Sequence, residues 1–119
     1  GAVGAISTAL QAVLQPGDEV LLPDPGWSNY EMMTHLRGGV PVRYPLDSSN
    51  GWSVDLEDVS SRVSSKTKVM LICSPSNPTG AVMKEEDLVG MLHIARNNNL
   101  VVISDEIYAK IYHGEGDRA

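Results

Sequence analysis

Two short polar segments carry the groups best suited to chemistry. They are Ser74-Pro75-Ser76-Asn77-Pro78-Thr79-Gly80, after one apolar run, and Ser104-Asp105-Glu106-Ile107-Tyr108, after the next. An amide, a carboxylate and a phenol thus stand at the ends of successive apolar segments. Asn77 and Tyr108 can hydrogen-bond a phenolic oxygen, while Asp105 can hold a proton on a ring nitrogen. Such a set suits one flat heteroaromatic cofactor. Each residue also has a plainer reading: Asp105 as a helix N-cap, Asn77 as a turn residue before Pro78, Tyr108 as a half-buried ring.

An alternation of helix and strand must position these groups. In residues 2–14 the apolar Val3, Ile6, Leu10, Val13 and Leu14 recur at helical spacing, and Gln15-Pro16-Gly17 stops the helix. Residues 19–23 read as a strand. Residues 27–36 read as a helix with Tyr30, Met33 and Leu36 on one face, ended by Gly38-Gly39, and residues 40–44 as a second strand. Residues 47–53 read as a loop, residues 55–63 as a short helix capped by Asp55, and residues 68–73 as a third strand. Residues 84–97 form an amphipathic helix with Leu88, Met91, Leu92 and Ala95 inward. Residues 100–104, nearly all apolar, are expected to be a strand buried on both faces. This order predicts an α/β fold, a three-layer αβα arrangement around a mainly parallel sheet. Ligands of such sheets bind beyond the carboxyl ends of the strands, where both polar segments fall.

The bulk properties narrow the function classes. At 119 residues and 42% apolar content the chain is the size of one modest domain with its own core. A formal charge of -6 argues against a nucleic-acid or anionic-membrane surface, since both need clustered Lys and Arg. No stretch approaches the ~18 apolar residues of a membrane span, and no charged-then-apolar leader opens the chain. The one cysteine, Cys73, cannot close an internal disulfide and reads as a packed thiol in a reducing cytoplasm. His35, His93 and His113 are scattered as surface or helix-face residues, so no metal site is expected. The opening at Gly1 and the polar tail suggest a piece of a longer protein.

Five blocks in a fixed order carry a resemblance. They are Gly1-Ala2-Val3-Gly4-Ala5-Ile6, Leu14-Gln15-Pro16-Gly17-Asp18-Glu19-Val20, Pro25-Gly26-Trp27-Ser28-Asn29-Tyr30, Ser76-Asn77-Pro78-Thr79-Gly80 and Ser104-Asp105-Glu106-Ile107-Tyr108. The chain resembles, along its whole length, the fold-type I pyridoxal-phosphate enzymes, specifically the class I/II aminotransferases related to aspartate aminotransferase. The resemblance implies that Asp105 meets the pyridine nitrogen of pyridoxal 5'-phosphate and keeps it protonated. It implies that Asn77 and Tyr108 hydrogen-bond the 3-oxygen. Trp27 is implied to stack on the ring where many relatives carry Tyr or Phe; its plainer reading is a core tryptophan. Ala2 and Val3 are implied to offer backbone N–H groups to the phosphate at a helix start, with Gly1 giving the turn room. The Asn77-Pro78 peptide, and also Asp24-Pro25, is implied to be cis. Tyr30 reads as a residue that packs on its helix face, with the substrate mouth as its alternative, Glu106 reads as structural, and Trp52 carries no assigned function.

The resemblance also implies groups that the chain does not match. The Schiff-base lysine of the family stands in a Ser-Lys context beyond the Asp-x-x-Tyr segment; Lys66, Lys68, Lys84 and Lys110 lack that context and read as solvated charges. No catalytic residue is therefore assigned within this chain. The arginines that clamp the substrate carboxylate and complete the phosphate site, and the small domain, are likewise unmatched. Residues 1–119 are expected to be part of the large, cofactor-binding domain and not to transaminate alone. The implied activity is amino-group transfer between an amino acid and a 2-oxo acid by way of pyridoxamine phosphate, in a cytoplasmic homodimer with no nucleic-acid or membrane partner. Alternatives of the same fold are a carbon-sulfur lyase, an aminocyclopropane-carboxylate-synthase-like enzyme, or the ligand-sensing domain of a transcription regulator.

Overall fold

Apolar runs become strands here because both faces of the sheet are covered. The computed structural model describes residues 1–111; His113 lies outside the described residues. Helix α1 spans Ala2–Val13, β1 Glu19–Asp24, α2 Ser28–Leu36 and β2 Val40–Asp47. They are followed by β3 at Ser53–Val54, α3 at Leu56–Arg62, β4 at Thr67–Cys73, α4 at Glu85–Asn97 and β5 at Val101–Asp105. The strand order is β3-β2-β1-β4-β5, parallel throughout except for the short antiparallel β3.

Period-two alternation along β1 divides the core. Val20 and Leu22 point toward α1 and α2, where they pack with Ile6, Leu10, Leu14 and Met33. Leu21 points the other way, to the cluster of Tyr44, Val59, Met70, Ile72, Met91 and Ala95 beneath α3 and α4. The expected three-layer αβα fold is therefore present. Tyr44 is fully buried and its hydroxyl donates to the Leu71 carbonyl at 2.9 Å, which ties β2 to β4 across β1.

Four local expectations need correction. Residues 47–53 are not simply a loop: after a 3₁₀ turn at Ser48–Asn50, Ser53 and Val54 pair antiparallel with Asp47 and Leu46. Strand β5 is not buried on both faces, since Val101 is 40% exposed. Among the described residues β5 pairs only with β4 and forms the sheet edge. On α4, Met91 and Ala95 face the sheet while Leu88 and Leu92 are exposed. Leu92 follows Met91 by one residue and so lies about 100° round the helix from it. Trp27 precedes α2 as its N-cap instead of opening the helix.

Candidate functional site

Strand order reverses about β1, whose neighbours are β2 on one side and β4 on the other. A crevice beyond the strand ends is expected at such a point. Three connections converge there: the β1–α2 turn with Trp27, the β4–α4 loop with Asn77, and the turn after β5 with Tyr108. Register places Cys73, the last residue of β4, beside Asp105, the last of β5. The predicted cis bonds Asp24-Pro25 and Asn77-Pro78 are both present, and Ser74-Pro75 is a third that the sequence reading had not foreseen.

All six predicted contact residues meet around one cavity of about 130 Å³. Its walls are Ala2, Val3, Trp27, Tyr30, Asn77, Asp105, Ile107 and Tyr108. Asn77 and Tyr108 also border a larger opening of about 450 Å³, whose lining includes Ser76 and Gly80. At the Ala2–Val3 wall no side chain caps α1, and the first helical bond runs from the Ala5 amide to the Gly1 carbonyl at 3.1 Å. The amides before it have no helical acceptor, which suits an anion at that end.

Asp105 is 6% exposed and its two carboxylate oxygens are held by different elements. The Tyr30 hydroxyl donates to Oδ2 at 2.6 Å, and the Ile107 amide donates to Oδ1 at 3.2 Å. The second bond shows Asp105 serving the following turn as well, in the manner of the plainer reading. An ionised carboxylate offers about four acceptor sites, so two protein donors leave capacity for a third from the cavity. Glu106 is exposed and accepts from Ser104 Oγ at 2.9 Å, which agrees with a structural role.

Sequence reasoning missed Tyr30. It is 2% exposed, and its ring meets that of Trp27 edge-on, centroids 5.4 Å apart at 89°. Its hydroxyl reaches a carboxylate 75 positions away. The usable signal was the three-residue offset from Trp27, which puts both rings on one side of the α2 start. Burial, then the hydrogen bond to Asp105, then the neighbouring Cys73 thiol push the Tyr30 phenol well above its ordinary range. Burial does the same to Tyr44.

These two phenols predict a pH dependence. Both stay protonated in the folded protein while their unfolded counterparts ionise above pH ~10. The unfolded state then binds fewer protons, so stability is intact below that pH and falls as pH rises through it. The slope is about 1.4 kcal/mol per pH unit for each phenol. Urea midpoints measured at increasing pH should decline above this point in the wild type and less steeply in Tyr44→Phe. Equal slopes in the two proteins would exclude Tyr44 as a source.

Residues 1–119 match the family model described as aminotransferase class I and II. An alanine aminotransferase of Mycobacterium tuberculosis is 41% identical over 110 residues, which cover 92% of this chain and 26% of that protein. A solved aminotransferase from Escherichia coli superimposes with a TM-score of 0.94 at 37% identity, covering 100% of this chain and 30% of the other. Aspartate aminotransferase from Thermus thermophilus with maleate gives 0.93 at 37% identity, covering 97% and 30%. The chain thus spans less than a third of each of these relatives.

Proposed function

The chain belongs to the class I and II aminotransferase family, and on that premise we propose that it forms part of the cofactor-binding domain of a pyridoxal-phosphate-dependent aminotransferase. The observation that carries this reading is the buried Asp105 carboxylate opening on a cavity shared with Asn77, Tyr108, Trp27, Ala2 and Val3. The chemistry of this lining fits the cofactor: a buried carboxylate suits a protonated ring nitrogen, an amide and a phenol suit a phenolic oxygen, and the unpaired amides at the start of α1 suit a phosphate.

Pyridoxal phosphate, when bound, supplies an electron-withdrawing ring that takes up charge from the substrate's α-carbon. Asp105 would hold the proton on the ring nitrogen that makes the ring electron-poor. The Asn77 amide and the Tyr108 hydroxyl would donate to the ring's oxygen and favour its anionic form. Trp27 would cover the ring and keep water from it. The Ala2 and Val3 amides would take the phosphate at the start of α1. Among the described residues no lysine lines the cavity; this reading requires a lysine to carry the cofactor and an arginine to clamp the substrate carboxylate, and assigns neither role to a residue named here.

Substrates in this reading are an amino acid and a 2-oxo acid, and the working unit is a cytoplasmic homodimer. Among the described residues no helix is long and apolar enough to cross a membrane. The full-length protein, purified and incubated with pyridoxal phosphate and one amino acid, should release the matching 2-oxo acid in an amount equal to the bound cofactor. Added acceptor oxo acid should then restore turnover. Cofactor binding followed by elimination products without amino-group transfer would instead favour a lyase.

A further inference from the structure

We propose that Tyr30 is a positioning residue: its hydroxyl locks the Asp105 carboxylate and links that anion mechanically to the Trp27 ring on another wall of the cavity. The inference rests on the cofactor reading above. Three contacts carry it.

First, Asp105 is pinned at both oxygens, by Tyr30 from α2 at 2.6 Å and by the Ile107 amide from its own turn at 3.2 Å. The amide bond is local and longer. The phenol is the side-chain donor that stops the carboxylate turning about its last torsion, which for Asp is broad and otherwise soft. Second, the phenol is itself immobile. Its ring is buried, packs edge-on against Trp27, and sits in the core cluster beneath α1 and α2. Third, the phenol's short bond is the one to the carboxylate. It reaches Asp105 Oδ2 at 2.6 Å, while the neighbouring Cys73 thiol donates to the Pro75 carbonyl at 3.4 Å.

The consequence is coupling between two walls of the cavity. Trp27 and Asp105 come from different strand ends, and Tyr30 contacts both. A flat ring that needs a stacking partner and an in-plane anion gains from having the two held in one frame before it arrives. A hydroxyl on this ring supplies that frame with a single atom.

The test uses the full-length protein loaded with pyridoxal phosphate labelled with nitrogen-15 in its ring. Wild type is expected to give the chemical shift of a protonated ring nitrogen. Tyr30→Phe keeps the ring and the Trp27 contact, and is expected to move that shift toward the unprotonated value and to weaken cofactor binding roughly tenfold. A folded Tyr30→Phe protein with wild-type shift and affinity would overturn the role of Tyr30 alone. Wild type that binds the cofactor with an unprotonated nitrogen would overturn the reading of Asp105, and this inference with it. Should Tyr30→Phe not fold, 3-fluorotyrosine at position 30 keeps the shape and donates more strongly. It is expected to bind the cofactor at least as tightly as wild type, and weaker binding would overturn the proposal.

Discussion

Replacing Asp105 with alanine is expected to lower transamination by the full-length protein roughly 150- to 5,000-fold, the factor for the about 3–5 kcal/mol lost when one partner is stripped from a buried ion pair. The size follows from burial. In the proposed reading a carboxylate that is 6% exposed would face a cationic ring nitrogen with little water between them, so no solvent would take over the interaction when it is removed. Asp105→Asn separates charge from shape. Its amide oxygen can still accept from Tyr30, so folding should suffer less than in Asp105→Ala, where the buried hydroxyl is orphaned at a cost of about 1–3 kcal/mol. Asparagine cannot hold a proton on a ring nitrogen, so activity should fall nearly as far in both variants. Steady-state rates beside urea midpoints decide the matter: wild-type turnover in Asp105→Asn would remove the carboxylate from the chemistry.

Such a prediction can be reached from sequence alone only for groups whose identity is their function. That Asp105, Asn77, Tyr108 and Trp27 would meet at one cavity was legible because each stands in a short motif after an apolar run, and the sheet carries every run to the same end. The strands were legible for a related reason. With helices over both faces, Val69 to Cys73 can be uniformly apolar, and Lys68, the exposed exception, stands next to the strand's start.

What escaped was set by distance along the chain. Tyr30 has the same helical spacing whether it packs against oil or reaches Asp105 75 positions later, and periodicity contains no term for the difference. Strand β3 escaped because two residues cannot display a period of two. Its partners Leu46 and Asp47 were needed to define it. The burial of β5 was overestimated because apolar composition reports what a strand can bury and says nothing of which neighbours lie beside it. Leu88 and Leu92 on α4 repeat that lesson on a helix.

Replacing Gly26 with alanine is expected to destabilise the protein by about 2–3 kcal/mol and to displace Trp27. A Cβ at this position would stand 2.4 Å from the Pro23 carbonyl oxygen and 3.3 Å from its carbonyl carbon. That neighbour is backbone at the end of β1, held in the ladder to β2 by the pairing of Pro23 with Tyr44, and cannot swing aside. Relief must come from the turn itself, whose next residue is Trp27. The contrast is Gly90 on α4, where a Cβ would come even closer, 2.2 Å, to Leu56 Cδ1. There the obstacle is the far end of a flexible side chain, which can change rotamer, so Gly90→Ala should be the milder change despite the shorter contact. Rigidity of the neighbour, not distance, sets the order. Urea midpoints of the two variants test stability, and cofactor titration tests the site: Gly26→Ala should bind more weakly, while Gly90→Ala, remote from the cavity lining, should bind as wild type does. The reverse order of stability would mean that the β1–α2 turn yields more readily than its strand anchor allows.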